Sequence, residues 1–187
     1  MNHQTSRTEH SLLAQLTRGV AAGILGGVAM NAFARACAAL THGAEAAGAA
    51  PGGDRTGRGV QPPQSEGTAE DDAAVQVGTM AYRAATGDEP RSSDRHLLGT
   101  AAHYAFSVTA GVGYAVLAPY APVLRRGYGT LYGTLVWALA DEGVVPALGL
   151  SRTPSRLPLG VHLYALCGHL VYGATVAAVM REERRGG

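Results

Sequence analysis

The segment that most restricts this chain is LGVHLYALCGHLVYGATVAAVM, residues 159–180, which runs for 22 residues without an Asp, Glu, Lys or Arg. As a helix it rises about 33 Å, at about 1.5 Å per residue. That length crosses a hydrocarbon core of about 30 Å with modest tilt. A helix that is apolar on every side belongs in lipid or in the centre of a much larger protein. A chain of 187 residues is too short to bury several such helices.

Three further runs accompany it. GVAAGILGGVAMNAFARACAAL (19–40) and LLGTAAHYAFSVTAGVGYAVLA (97–118) have the same length of 22 residues. The third, GYGTLYGTLVWALA (127–140), is shorter and continues through Asp141, Glu142 and Pro146 to Leu150. It is read either as one kinked span over 127–150 or as a short span followed by a re-entrant segment, since proline is tolerated among membrane helices. The expected architecture is all-α, a four-helix transmembrane bundle. It forms a single membrane domain over 1–187, with spans at about 19–40, 97–118, 127–150 and 159–180.

Between the first two spans lies the polar stretch 41–96, read as an extracytoplasmic loop. Its first part is rich in Gly, Ala and Pro, a flexible composition. In AEDDAAVQVGTMAYRAAT (69–86), acidic residues lead, which favours a helix N-terminus. Val77, Met80, Ala81 and Ala84 share one face. The spacing predicts a short amphipathic helix on the membrane surface or the bundle end, closed by GDEP at 87–90.

Composition supports the lipid environment. Hydrophobic residues make up 47% and charged residues 16%, against about 25% charged in soluble domains. All 15 basic residues are arginine, and the net charge of +1 leaves no basic surface for nucleic acid. Cys37 and Cys167 are isolated and form no CxxC pair, so they read as small buried hydrophobes. The run from Gly19 lacks a clean cleavage site and does not read as a targeting peptide.

Four spans place both termini on one side. Arg7, Arg18, Arg125, Arg126, Arg181, Arg184 and Arg185 lie there, against Arg91, Arg95, Arg152 and Arg156 near the span ends opposite. The positive-inside rule then puts both termini in the cytoplasm. The expected partners are the lipid bilayer and either further copies of the chain or another membrane protein.

Polar groups inside the apolar runs are the candidate site: His103, Asp141, Glu142, His162 and His169, with Asn31 and Arg35 in the first span. His162 and His169 are seven residues apart, nearly two turns, and face roughly one way. Alternating topology brings these groups to one range of depth. Ionisable residues in spans are costly and face the bundle interior or water. Three readings stay open: hydrogen bonds between helices, a proton or ion pathway (histidine titrates near neutrality), and a transition-metal site built from imidazole and carboxylate. No HExxH or comparable spacing supports the last, and no cofactor is expected. Adjacent Asp141 and Glu142 cannot both face inward from a regular helix. Arg35 has two readings, a side chain reaching the headgroups and a counter-ion to either carboxylate.

Gly19, Gly23 and Gly27 form overlapping GxxxG steps, and Gly129 and Gly133 another. Small residues let helix backbones approach in lipid. GILGG is no phosphate loop, since it lacks the GK[ST] ending and a preceding strand. Tyr104, Tyr114, Tyr128, Tyr132, Tyr164 and Tyr172 read as interface anchors or interhelical donors, and no GxSxG context supports Ser107 as a nucleophile.

The segments HYAFSVTAGVGYAV (103–116), YGTLYGTLVWALADEGVVPALGL (128–150) and PLGVHLYALCGHLVYG (158–173) follow one another in an order that resembles the YagU-like family of small bacterial inner-membrane proteins. Its pattern falls on His103, Gly113, Tyr114, Trp137, Pro146, Gly149, His169 and Gly173. The resemblance implies a multi-pass protein of the bacterial cytoplasmic (inner) membrane, associated with tolerance of acid stress and without assigned catalytic chemistry. Two function classes follow. One is a membrane protein that responds to or passes protons or a small solute. The other is a structural or accessory subunit of a membrane complex without transport or catalysis. An enzyme is the weaker third.

Overall fold

The small residues of the apolar runs set which helices touch. In the computed structural model, which describes residues 2–48, 73–150 and 158–182, all regular structure is helical. Helix α1 covers Asn2–Gly48, α2 Ala73–Thr86, α3 Arg95–Leu117, α4 Thr130–Leu139, α5 Val145–Ala147 and α6 Leu159–Glu182. A wide π turn, Ala140–Val144, joins α4 to α5.

Helix α1 packs against both α3 and α6, α2 against α3, and α4 against α6. The α1–α3 contact is a glycine crossing. A Cβ on Gly19 would meet Val112 and Ala115, one on Gly27 would meet Ser107 and Tyr104, and Gly23 and Gly111 lie against each other's backbones. The α4–α6 contact repeats this, with Gly129 and Gly133 against Gly173, and Gly133 also against the carbonyl of His169. Only glycine leaves room at such distances, and van der Waals contact over a broad backbone surface is what holds helices together where lipid supplies no hydrophobic drive.

Tyrosines tie the two helix pairs together. Tyr172 of α6 donates to the Ser107 carbonyl of α3 at 2.6 Å, and Tyr132 of α4 donates to the Ala110 carbonyl at 2.5 Å. Tyr132 also meets Tyr114 edge-on at 4.9 Å. Large aliphatic side chains lie mostly outside. Leu16, Val20, Ile24, Leu25 and Val28 on α1 are exposed, as are Leu97, Phe106 and Leu117 on α3, Leu135 and Leu139 on α4, and Leu163 on α6. Soluble monomers rarely expose contiguous apolar surface on this scale.

Several boundaries differ from the sequence expectation. Two helices, Leu12–Leu40 and Leu159–Arg181, are long and apolar enough to cross a membrane by length and composition, where four spans were expected. Helix α3 carries Thr100, His103, Ser107 and Thr109 among its apolar residues, and the π turn interrupts the third run. Helix α1 continues to Gly48, eight residues into the stretch expected to be loop from residue 41. The third run forms one continuous helical path from Thr130 to Ala147, widened at Ala140–Val144. It closes at Gly149 (φ +70°), where the Leu150 N–H reaches the Val145 carbonyl and the Gly149 N–H the Pro146 carbonyl, both at 3.0 Å. That is the Schellman pattern, with glycine supplying the left-handed residue.

Helix α2 starts at Ala73; residues 69–72 of its expected range, and 49–68 of the expected loop, lie outside the described residues. Its buried face is Val75, Gly78 and Thr79, against Leu98 and Gly99 of α3. Val77 and Met80, on the apolar face read from the spacing, are exposed. The small residues Gly78 and Gly99 decide the crossing, because they permit closer backbone approach than Met80 and Val77 do.

Candidate functional site

The π turn is the local feature that builds the site. On a regular helix adjacent side chains diverge by about 100°. At Ala140–Val144 the Val145 N–H bonds the Ala140 carbonyl, five residues back, and the turn widens. Pro146, four residues after Glu142, has no N–H to complete a regular ladder there. A regular helix would not present both neighbouring carboxylates to one side; the widened turn brings both to α6. Glu142 Oε1 lies 2.5 Å from His162 Nδ1, and Asp141 Oδ2 lies 3.6 Å from His169 Nδ1.

The two pairs are made differently. Glu142 and His162 stand nearly opposite one another across the antiparallel helices. Asp141 and His169 are offset along the axis and meet because side chains tilt toward the N-terminus of their own helix, which for antiparallel helices means toward each other. His169 Nδ1 also lies 3.0 Å from the Ala165 carbonyl. A carbonyl only accepts, so Nδ1 carries the proton and Nε2 is the basic nitrogen of the neutral ring. The His169 side chain is 8% exposed and that of Asp141 37%; those of His162 and Glu142 are 19% and 24%.

A cavity of about 220 Å³ lies beside the Asp141–His169 pair. Asp141, His169, His103 and Ser107 supply its polar lining, and Met30, Phe106 and Val136 much of the apolar remainder. Every helix contributes to it: Met30 from α1, Ala73 and Val77 from α2, Val145 from α5. It exists because α3 and α6 do not pack closely along their length; Tyr172 bridges them at one end of the gap.

The structure thus gathers His103, Asp141 and His169 at the cavity, and sets Glu142–His162 beside it through the shared π turn. Asn31 joins from α1, donating to the Tyr104 hydroxyl at 3.2 Å, and the Tyr104 ring meets His103 edge-on at 5.3 Å. Arg35 does not join: its side chain is exposed, and among the described residues the carboxylates pair with the two histidines. Nor do three His, Cys, Asp or Glu side chains converge on one point with metal-holding geometry among the described residues. Cys37 is half-buried and Cys167 exposed, where both were expected to be buried. Sequence reasoning missed the roof of the cavity, Ala73 and Val77. The signal was the pair Gly78 and Gly99, which dock α2 onto α3.

No curated protein and no solved structure matches this chain. A family model does match, over residues 76–178. The matched region runs from the first turn of α2 to near the end of α6, and takes in both His–carboxylate pairs and His103. The chain belongs to the family described as protein of unknown function DUF1440.

Proposed function

We propose that this chain is a multi-pass membrane protein whose His–carboxylate pairs take up protons, or admit a small solute, at an internal cavity. The observation that carries the reading is the π turn that presents Asp141 and Glu142 together to His169 and His162 beside that cavity. A carboxylate beside an imidazole holds one proton on either partner without changing the charge of the pair. A proton then enters an apolar interior without stranding an isolated ion. The shared backbone of Asp141 and Glu142 puts the two pairs one residue apart, which suits a short relay.

In this reading α1, α3, the α4–α5 path and α6 span the bilayer, with both termini cytoplasmic and α2 at the outer side. The exposed aliphatic faces support it. The YagU-like resemblance supports an inner-membrane location and a role under acid stress. The accessory-subunit reading loses its main motive, because the GxxxG surfaces are consumed by contacts within the chain.

The test is reconstitution of the full chain in liposomes under a pH gradient. The gradient is expected to collapse faster than in empty vesicles, and Asp141→Asn and His169→Ala are expected to slow that collapse. Arg83→Gln, at an exposed pair with Glu89, is expected to change nothing. A wild-type rate equal to that of empty vesicles, for protons and for small organic ions, overturns the reading.

A further inference from the structure

The sharpest unexplained geometry lies away from the cavity, in the turn between α3 and α4. Three successive residues there, Gly127 (φ +59°), Tyr128 (φ +59°) and Gly129 (φ +93°), take left-handed backbone. Among the described residues Tyr128 is the one non-glycine residue with positive φ. Bulky side chains avoid this region, and such residues persist where surrounding contacts impose them, often at binding sites. The Tyr128 ring lies against Arg181 of α6. Its guanidinium carbon sits 4.7 Å from the centre of the Tyr128 ring, and its Nη2 donates to the Arg125 carbonyl at 3.1 Å.

Arg125, Arg126 and Arg181 are thereby collected at one corner. Among the described residues no carboxylate pairs with any of them. The Arg125 Nε–H is buried and has no acceptor there. Among the described residues these arginines have no carboxylate partner, and a guanidinium fork matches phosphate geometry. The surroundings are amphipathic. Tyr120 is 86% exposed and Tyr128 75%, and Leu117 and Val123 next to them are exposed as well. Exposed tyrosines beside exposed aliphatics are the chemistry of the membrane–water boundary.

We propose that this corner binds the phosphodiester headgroup of an anionic glycerophospholipid. Arg125, Arg126 and Arg181 hold the phosphate, Tyr128 orients Arg181, and Leu117 and Val123 lie along the acyl chains. The proposal rests on the membrane reading above. It uses none of the cavity residues.

The test uses the full chain in neutral detergent, with native mass spectrometry against phosphatidylglycerol and phosphatidylcholine. Glycerol phosphate and inorganic phosphate form separate arms. Retention of one phosphatidylglycerol in preference to phosphatidylcholine is expected. Arg125→Gln, Arg126→Gln and Arg181→Gln are each expected to weaken that preference about fivefold, with no change for Arg83→Gln. Tyr128→Gly relieves the left-handed backbone, so a folding defect cannot explain its expected loss of preference. Equal retention of both lipids, or a preference unaltered by these variants, overturns the proposal. Retention of free phosphate as firmly as lipid also overturns it, in favour of a soluble anion. Alkaline-carbonate extraction of membranes in parallel separates the two readings: a chain that stays in the membrane without lipid preference ends this proposal alone.

Discussion

Glu142 and His162 face each other at 2.5 Å between the π turn and α6, and the same turn delivers Asp141 to His169. Both side chains of the closer pair are about one-fifth exposed. Removing one partner removes a short hydrogen bond held in a mostly apolar setting. Glu142→Ala is expected to cost about 1–3 kcal/mol. A double-mutant cycle with His162→Ala, read by thermal unfolding in detergent, is expected to show coupling of about 1 kcal/mol or more. Additive effects would mean the pair is not formed.

The α4–α6 crossing makes a sharp distinction between glycines. A Cβ at Gly133 runs into the backbone of His169, which cannot swing aside, whereas at Gly113 the nearest neighbour is the Tyr132 hydroxyl at 3.4 Å. Gly133→Ala is expected to destabilise by about 1–3 kcal/mol and to displace His169. Gly113→Ala is expected to be neutral or to stabilise by up to about 1 kcal/mol through helix propensity. Thermal unfolding of the two variants side by side checks the contrast.

Tyr172 is buried and its hydroxyl donates to the Ser107 carbonyl at 2.6 Å. Tyr172→Phe keeps the ring and removes the donor. A loss of about 1 kcal/mol is expected, and solvent access to the cavity is expected to rise, because this bond draws α6 to α3. Hydrogen exchange in α3 around Ser107 reads the second effect.

Ile24 is exposed on the outward face of α1. In water a lysine there is harmless. In lipid it costs about 2–3 kcal/mol. Ile24→Lys is therefore expected to reduce membrane insertion, measured by carbonate extraction. Unchanged fractionation with better solubility would point to a soluble bundle.

Ser92 and Arg126 are exposed at opposite ends of α3. In a background of Cys37→Ala and Cys167→Ala, Ser92→Cys is expected to react with an impermeant maleimide from outside intact cells. Arg126→Cys is expected to react only after lysis. The reverse pattern would invert the proposed topology.

The runs at 19–40, 97–118 and 159–180 were legible as helices because length and the lack of charge are local properties, written residue by residue. The glycine steps were legible as contact surfaces for the same reason. Their partners were not: Gly23 meets Gly111, and Gly133 meets Gly173, across gaps in sequence that spacing does not encode. The buried face of α2 went unread because Gly78 and Gly99 win by close approach, which apolar periodicity does not weigh.

The sequence by itself determined an all-helical chain with apolar surfaces, and it named the histidines and carboxylates that lie among them. Tertiary structure alone decided that Asp141 and Glu142 both face α6. On paper a regular helix separates them. The widened turn before Pro146 changes the angle between them, and the antiparallel partner α6 presents one histidine to each. Arg35 shows the converse: one reading made it a counter-ion to the carboxylates, yet α1 turns it outward, because packing against α3 and α6 is governed by where the glycines allow contact.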